Sequence, residues 1–96
     1  MATRAHCLIA GRVQGVYFRE ETRKLAQSLG ATGWVRNRDD GRVEAIFEGD
    51  EATVDRLIAW CHTGPSRASV RDVVVTREAP TGEFAGFTVL PTLRGA

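Results

Sequence analysis

The residues best suited to chemistry lie in one stretch near the N-terminus, Gly-Arg-Val-Gln-Gly-Val-Tyr-Phe-Arg, at positions 11–19. This stretch joins a predicted strand to a predicted helix, where backbone N–H groups lack partners and the helix dipole adds partial positive charge. Glycines let the backbone curl around one anion, and the planar guanidinium of Arg19 matches phosphate oxygens. The stretch therefore favours a phosphate or oxyanion site. On spacing alone, a tight turn followed by a surface arginine fits equally well.

A second candidate is Asn37, near the end of a predicted strand and just before the turn Asp39-Asp40-Gly41. Asparagine at such a place commonly forms a turn by bonding its own backbone. Its side chain can instead hold a water through the carbonyl oxygen while its NH2 group contacts a phosphate oxygen. The flanking residues Arg36 and Arg38 either attract an anionic substrate or face solvent, and the residue types do not decide between these roles.

The two motifs resemble the signatures of the acylphosphatase family. The stretch 11–19 resembles the family's phosphate-binding loop with its arginine, and Gly33-Trp34-Val35-Arg36-Asn37 followed by Asp40-Gly41-Arg42-Val43 resembles its second signature. The resemblance covers about residues 5–90. It implies a ferredoxin-like enzyme that hydrolyses acyl phosphates, which are mixed anhydrides of a carboxylic acid and phosphoric acid, to carboxylate and inorganic phosphate. It also implies that no metal or cofactor is needed.

The resemblance assigns roles to individual residues. Arg19 is implied as a phosphate ligand and Asn37 as the residue that positions the attacking water, so these two are the implied catalytic residues. The residues implied to bind phosphate are Val13, Gln14, Gly15, Val16, Tyr17, Phe18 and Arg19. In some family members the chain ends at the last strand and its terminal carboxylate helps to hold the arginine. The tail at 91–96 is a departure from that arrangement.

Hydrophobic periodicity predicts the elements that position these residues. Apolar residues on both faces of the first strand indicate a central strand, and apolar steps of three and four residues indicate helices with one buried stripe. The predicted strands are 5–11, 33–38, 42–48, 70–77 and 84–90; the predicted helices are 19–29, ended by Gly30, and a segment capped by Asp50. The order β-α-β-β-α-β, with a further short strand, predicts an α+β ferredoxin-like split-βαβ sandwich with an antiparallel sheet and both helices on one face. Glu44 and Glu48 are expected to look outward.

Composition restricts the function class. A chain of 96 residues that is 43% hydrophobic predicts one domain over 1–96, with a core at 5–90 and a tail at 91–96. A net charge of +1 argues against wholesale binding to nucleic acid or to an anionic membrane. Cys7 and Cys61 form no zinc-binding pattern and are expected to be small buried residues. The short apolar run after the N-terminus predicts no signal peptide, so a cytoplasmic monomer with a small-molecule substrate is expected.

Three alternatives are weaker. A non-catalytic module that binds phosphate or an acyl phosphate would keep the fold, but the presence of both Arg19 and Asn37 favours an enzyme. RNA binding on a similar fold would use the third strand, which here carries Glu44, Ile46 and Glu48 and so disfavours stacking and phosphate contacts. A soft-metal chaperone would need a CxxC motif in the first loop, and that loop has no cysteine.

Overall fold

The computed structural model describes residues 1–95, which form one five-stranded sheet and two helices. The strands are β1 (Ala2–Arg12), β2 (Thr32–Asn37), β3 (Val43–Asp50), β4 (Ser69–Glu78) and β5 (Phe87–Val89), and the helices are α1 (Phe18–Ser28) and α2 (Glu51–Cys61). The sheet order is β4-β1-β3-β2-β5, so each βαβ unit crosses over one intervening strand. This is the predicted ferredoxin-like α+β fold, with β1 in a central position. Within the described residues, neither helix is long and apolar enough to cross a membrane.

The sheet is mixed, which corrects the prediction of an antiparallel sheet. β1 pairs antiparallel with β3 and β4, and β2 pairs antiparallel with β3. β5 instead runs parallel to β2, with Val89 opposite Val35. The reason is topological: residues 79–86 reverse the chain after β4 and carry it to the opposite edge of the sheet. A strand that is antiparallel to β4 must run parallel to β2.

The helix-facing side of the sheet carries the core. The fully buried strand residues there are Ala5, Cys7, Ile9, Val35, Val43, Ala45 and Phe47, and the helices add Phe18, Thr22, Ala26, Val54, Leu57 and Cys61. Phe18 packs on Trp60 with ring centroids 5.1 Å apart, and Phe47 stacks on Phe87 at 5.7 Å. Burial in this core fixes Ile9 and Phe18, which flank the glycine-containing loop on its two sides.

The two cysteines are free thiols in the core, as predicted. Burial raises the pKa of Cys7 to about 12, so its thiol stays protonated at neutral pH. The pKa of Cys61 is also raised, by burial first and then by the proximity of Cys7. Both residues therefore act as small apolar side chains.

The predicted helix ends are correct in position. Gly30, at φ 74°, ends α1 with a Schellman motif in which Ala31 N–H donates to Ala26 O at 2.9 Å. Asp50 occupies the N-cap position of α2, but its side chain makes no capping hydrogen bond. The capping role predicted for Asp50 is therefore wrong, although the start of the helix is right.

The expectation that Glu44 and Glu48 look outward needs correction. Both alternate away from the helix-facing residues, yet they are only 6% and 5% exposed. The connection between β4 and β5 covers Glu48, because the backbone N–H groups of Thr81 and Gly82 donate to its carboxylate, that of Thr81 at 3.0 Å. Arg4 adds an ion pair at 3.5 Å. The face that the helices leave open is thus partly covered by a segment distant in sequence.

Glu44 is the centre of an ion cluster on the same open face. Its carboxylate lies 2.7 Å from His6 Nε2, 2.8 Å from Arg36 Nε and 3.5 Å from Arg38 Nη1. Arg36 also lies over the Trp34 ring, 4.5 Å from its centroid. Burial raises the pKa of Glu44, but the hydrogen bonds from His6 and Arg36 outweigh it and the pKa is lowered. Arg36 and Arg38 therefore serve a buried carboxylate, which answers the question left open by their residue type.

This cluster predicts a pH effect on stability. A carboxylate with a lowered folded-state pKa stabilises the protein above its unfolded pKa of about 4.3, and this contribution is lost as the pH falls through the folded value. We expect Glu44→Gln to lower the free energy of unfolding at pH 7 by about 1.5–3 kcal/mol. The variant should also lose less stability than the wild type between pH 5 and pH 3. Urea unfolding across that range measures both.

The matched control for this measurement is Glu51→Gln, which removes an exposed carboxylate at the start of α2. It should keep the acid dependence of the wild type. If Glu44→Gln and the wild type lose stability in parallel on acidification, the cluster is not the source of that dependence.

Candidate functional site

The connection between β1 and α1 forms a curled loop. Two of its residues are left-handed, Gly15 at φ 73° and Tyr17 at φ 65°. Glycine adopts this conformation freely, whereas it costs energy for a side chain such as tyrosine. Val13, Val16 and Phe18 are 1%, 7% and 2% exposed, so they anchor the loop to the core. Packing therefore holds the backbone in one curled shape.

The backbone N–H groups along this loop have no acceptors in the part of the chain that the structure describes. Those of residues 14–20 donate to no group of residues 1–95, and the first hydrogen bond of α1 runs from Glu21 N–H to Tyr17 O at 3.0 Å. The N-cap has no side-chain hydrogen bond. A helix start leaves such donors, and a loop with left-handed residues gathers them into a concave nest that binds anions. The helix dipole adds partial positive charge at this point.

Arg19 lies in the first turn of α1, on the wall of a cavity of about 500 Å³. The cavity is lined by Val13, Gly15, Tyr17, Phe18, Arg19, Glu20 and Val89. Within the described chain, the half-buried Arg19 side chain makes no hydrogen bond and no ion pair. A guanidinium offers five N–H donors in a planar fork. Arg19 and the loop thus present their unused donors to the same space, as a phosphate group requires.

Asn37 is the last residue of β2 and shares the helix-facing side of the sheet with Val35, because side chains alternate along a strand. Arg36 and Arg38 point to the opposite face. The side-chain oxygen Oδ1 of Asn37 is buried and has no hydrogen-bond partner among residues 1–95. Buried polar atoms are nearly always satisfied, so this exception calls for an explanation. An oxygen that accepts from a bound water supplies one.

Gln14 links the loop to the strand end that carries Asn37. Its side-chain Nε2 donates to the main-chain oxygens of Arg38, at 2.6 Å, and Arg42, at 3.0 Å, in the β2–β3 hairpin. The loop therefore cannot shift without disturbing the residue next to Asn37. Val89 gives a second link between the cavity and the end of β2. It lines the cavity and pairs with Val35, two residues before Asn37.

The chain after β5 also supports Asn37. Leu93 N–H donates to Asn37 O at 2.9 Å, and Asp39 N–H donates to Leu93 O at 3.0 Å. The described part of the predicted tail, residues 91–95, therefore runs beside the end of β2 and fixes its main chain. Ala96, the last residue of the tail for which a departure from the family's carboxylate–arginine arrangement was predicted, lies outside the described residues.

The structure gives the predicted site residues different positions in one corner of the fold. The cavity is lined by Val13, Gly15, Tyr17, Phe18 and Arg19. Val16 is buried and Gln14 bonds to the hairpin, and Asn37 is not among the residues that line the cavity. Sequence analysis missed the side-chain role of Gln14 and the presence of Val89. Neither has a local signal, because both depend on pairing between distant segments. Residues 1–95 contain no cluster of three or more His, Cys, Asp or Glu side chains that could hold a metal ion.

Fold and site together define a class of protein: a ferredoxin-like α+β domain with a curled loop of unused N–H donors where the first strand meets the first helix, and beside it an arginine that has no partner among residues 1–95. The family model described as Acylphosphatase matches residues 5–89. This match covers nearly the whole chain and both motifs. The chain belongs to the acylphosphatase family.

Individual relatives agree with this assignment. The chain is 59% identical over 87 residues to the acylphosphatase of Haloquadratum walsbyi, which covers 91% of this chain and 92% of that protein. It is 55% identical over 86 residues to the acylphosphatase of Pelotomaculum thermopropionicum, with 90% and 94% covered. Among solved structures, an acylphosphatase from Coxiella burnetii superposes with a TM-score of 0.88 at 36% identity and covers 93% of both chains.

Proposed function

We propose that this protein, as one domain over residues 1–96, hydrolyses acyl phosphates to a carboxylate and inorganic phosphate. The observation that carries the proposal is the set of unused polar groups in one corner: the N–H donors of residues 14–20, the Arg19 guanidinium and the buried Asn37 Oδ1. Membership of the acylphosphatase family supports the same reaction. The substrate is a small molecule.

The donors would hold the phosphoryl group. The nest formed by residues 13–18 and the fork of Arg19 bind the phosphoryl oxygens and stabilise the negative charge on them. Phosphoryl transfer passes through a loose transition state with little covalent work for the protein to do, so positioning and charge stabilisation dominate catalysis. Donors that are already in place require no rearrangement as the reaction proceeds.

Asn37 would supply the nucleophile. Its Oδ1 accepts a hydrogen bond from a water, while its NH2 group contacts a phosphoryl oxygen, so the water attacks phosphorus in line with the leaving carboxylate. The new bond forms between the water oxygen and phosphorus, and the bond from phosphorus to the acyl oxygen breaks. A phosphoryl oxygen of the substrate takes the proton of the water.

The leaving group explains why so few side chains suffice. A carboxylate has a conjugate-acid pKa of about 4, close to that of a glutamate side chain, so it departs without a general acid. His6, the histidine nearer to the loop in sequence, is bonded to Glu44 on the open face of the sheet. The chemistry therefore needs a phosphate cradle and a placed water.

The proposal includes a monomer that acts in the cytoplasm. Its support is the surface: among the described residues the exposed large hydrophobic side chains are Met1, Tyr17, Val74 and Val89. Two of these four line the cavity, and the other two are isolated. Scattered single hydrophobic residues are normal on a monomer and do not form an interface.

Hydrolysis of benzoyl phosphate in EDTA, followed by ultraviolet absorbance, tests the proposal directly. We expect rapid release of benzoate and phosphate by the wild type without added metal. A folded wild type that binds inorganic phosphate but shows no turnover would overturn the proposal. That result would support the alternative of a non-catalytic module that binds phosphate or acyl phosphate.

The link through Gln14 gives a separate prediction. We expect Gln14→Leu to lower kcat about tenfold or more, because displacement of a positioned group by about 1 Å can cost 100-fold in rate. The variant keeps the volume of the side chain and removes both donors to the hairpin, so it should also lose about 1–3 kcal/mol of stability. Steady-state kinetics with benzoyl phosphate and urea unfolding measure the two effects.

The control for this prediction is Gln27→Leu, which removes the hydrogen bond that Gln27 donates to Phe87 O, at 3.1 Å, and the one that it accepts from Arg23, at 3.0 Å. Neither bond involves the loop or the hairpin. This control should lose stability with little effect on kcat. If the two glutamine variants have the same kcat, Gln14 has only a structural role.

A further inference from the structure

Part of the cavity beside Arg19 is apolar, which phosphate binding does not explain. Val13 and Phe18 are buried beneath it, whereas Tyr17 and Val89 at its wall are 69% and 39% exposed. Both side chains line the same cavity, and exposed apolar residues that gather at one place often mark a ligand-binding groove. A phosphate group needs donors and not apolar walls.

The backbone of Tyr17 strengthens this observation. Tyr17 adopts φ 65° and ψ 20°, a left-handed conformation that is uncommon for a residue with an aromatic side chain. Glycine would avoid the strain at this position, as Gly15 does two residues earlier. Strained residues cluster at functional sites, where the surrounding structure holds them in place. Here the strain holds an aromatic ring in solvent at the edge of the cavity.

The cavity wall also carries one carboxylate, that of Glu20, next to Arg19. The Glu20 carboxylate is 47% exposed and accepts two hydrogen bonds from Arg23, at 2.9 and 2.6 Å. The hydrogen bond from Arg23 is the main cause that lowers the pKa of Glu20, so this group is ionised at neutral pH. A substrate with a second carboxylate on its acyl group would bring like charges together.

We propose that this cavity is an acyl subsite in which Tyr17 and Val89 cover an apolar chain or ring, so that acyl phosphates with uncharged, apolar acyl groups are preferred over dicarboxylic ones. This inference rests on the proposed function and names its substrate class. A volume of about 500 Å³ is within the usual range for small-molecule sites and leaves room for an acyl group beside the phosphate.

Alkylphosphonates from methyl- to hexylphosphonate test the subsite without turnover, because their carbon–phosphorus bond is not hydrolysed. We expect the affinity, measured by calorimetry, to rise about two- to threefold with each methylene that enters a partly open apolar site. Hexylphosphonate should bind about tenfold or more tightly than 5-carboxypentylphosphonate, whose terminal carboxylate meets Glu20. The wild type should show both trends.

The test variant is Val89→Thr, which keeps shape and strand propensity and makes the wall polar. It should bind methylphosphonate with the affinity of the wild type. It should lose most of the increase in affinity that each added methylene gives in the wild type. The matched control is Val74→Thr, at an exposed valine of β4, the opposite edge strand of the sheet. This control should show the same increase in affinity per methylene as the wild type. The comparison separates an effect at the subsite from a general effect of valine replacement.

The outcomes separate this inference from the proposed function. Equal affinity across the phosphonate series, or no binding of any member, would overturn the subsite, as would a Val89→Thr series identical to that of the wild type. Hydrolysis of acetyl phosphate, measured in parallel, tests the reaction alone. Turnover of acetyl phosphate with a flat phosphonate series rejects the subsite and keeps the enzyme, whereas a rising series without turnover keeps the subsite and rejects hydrolysis.

Discussion

Replacement of Arg19 by glutamine is expected to lower kcat/KM for benzoyl phosphate by about 1,000-fold or more. Removal of one well-placed donor to developing charge costs about 100- to 1,000-fold in rate, and Arg19 supplies both a full positive charge and a planar fork of donors. If the guanidinium contacts the phosphoryl group before and during the reaction, as we propose, affinity for inorganic phosphate should fall together with kcat. Kinetics and phosphate inhibition measure the two losses.

Stability distinguishes this role from a structural one. Within residues 1–95 the Arg19 side chain makes no hydrogen bond or ion pair, so its replacement breaks no polar contact of the described fold. We therefore expect the urea midpoint of Arg19→Gln to equal that of the wild type. Arg19→Lys should keep part of the phosphate affinity, because the charge remains and the fork is lost.

The charge control is Arg56→Gln, at an exposed arginine of α2. It changes the net charge by the same amount as Arg19→Gln and should leave the kinetics unchanged. If Arg19→Gln retained turnover within about tenfold of the wild type, the loss would be no larger than that of a peripheral donor, and Arg19 would not be the phosphate ligand.

The parts of the site that sequence could predict are those that local physics determines. The strand, the glycines, the helix start and Arg19 are consecutive, so their spacing alone places N–H donors and a guanidinium together. The hairpin turn and the alternation along β2 place Asn37 on the same side as Val35. The hydrophobic periodicity also predicted the helix-facing core, because each buried stripe of apolar residues lies within a single strand or helix.

The parts that could not be predicted depend on segments far apart in the chain. Glu48 is buried because residues 81 and 82 return across the open face and donate to it. Val89 reaches the cavity because β5 pairs parallel with β2 at the far edge of the sheet. Gln14 seemed to belong to the loop, and only the fold shows its side chain bonded to the hairpin. No pattern within one element carries this information.

The second large effect is expected for Asn37→Ala, with a signature opposite to that of Arg19→Gln. If Asn37 places the attacking water, its loss should lower kcat about 100- to 1,000-fold, because the water must be aligned only when the reaction occurs. Inhibition by inorganic phosphate should weaken far less than in Arg19→Gln, since on this proposal the loop and Arg19 still bind the anion and only the contact from the Asn37 NH2 group is lost. Turnover and product inhibition of the same preparation give both values.

The free energy of unfolding of Asn37→Ala provides the decisive contrast. Oδ1 is buried and has no partner among the described residues, so alanine removes an unsatisfied polar atom and breaks no side-chain hydrogen bond of that oxygen. Stability should therefore be unchanged or higher while kcat falls. A residue that only shapes the strand end would show the reverse, with lower stability and nearly normal turnover. A buried oxygen without a hydrogen-bond partner destabilises the fold. In this interpretation, that cost is offset only when the attacking water is bound, because the water then donates a hydrogen bond to Oδ1.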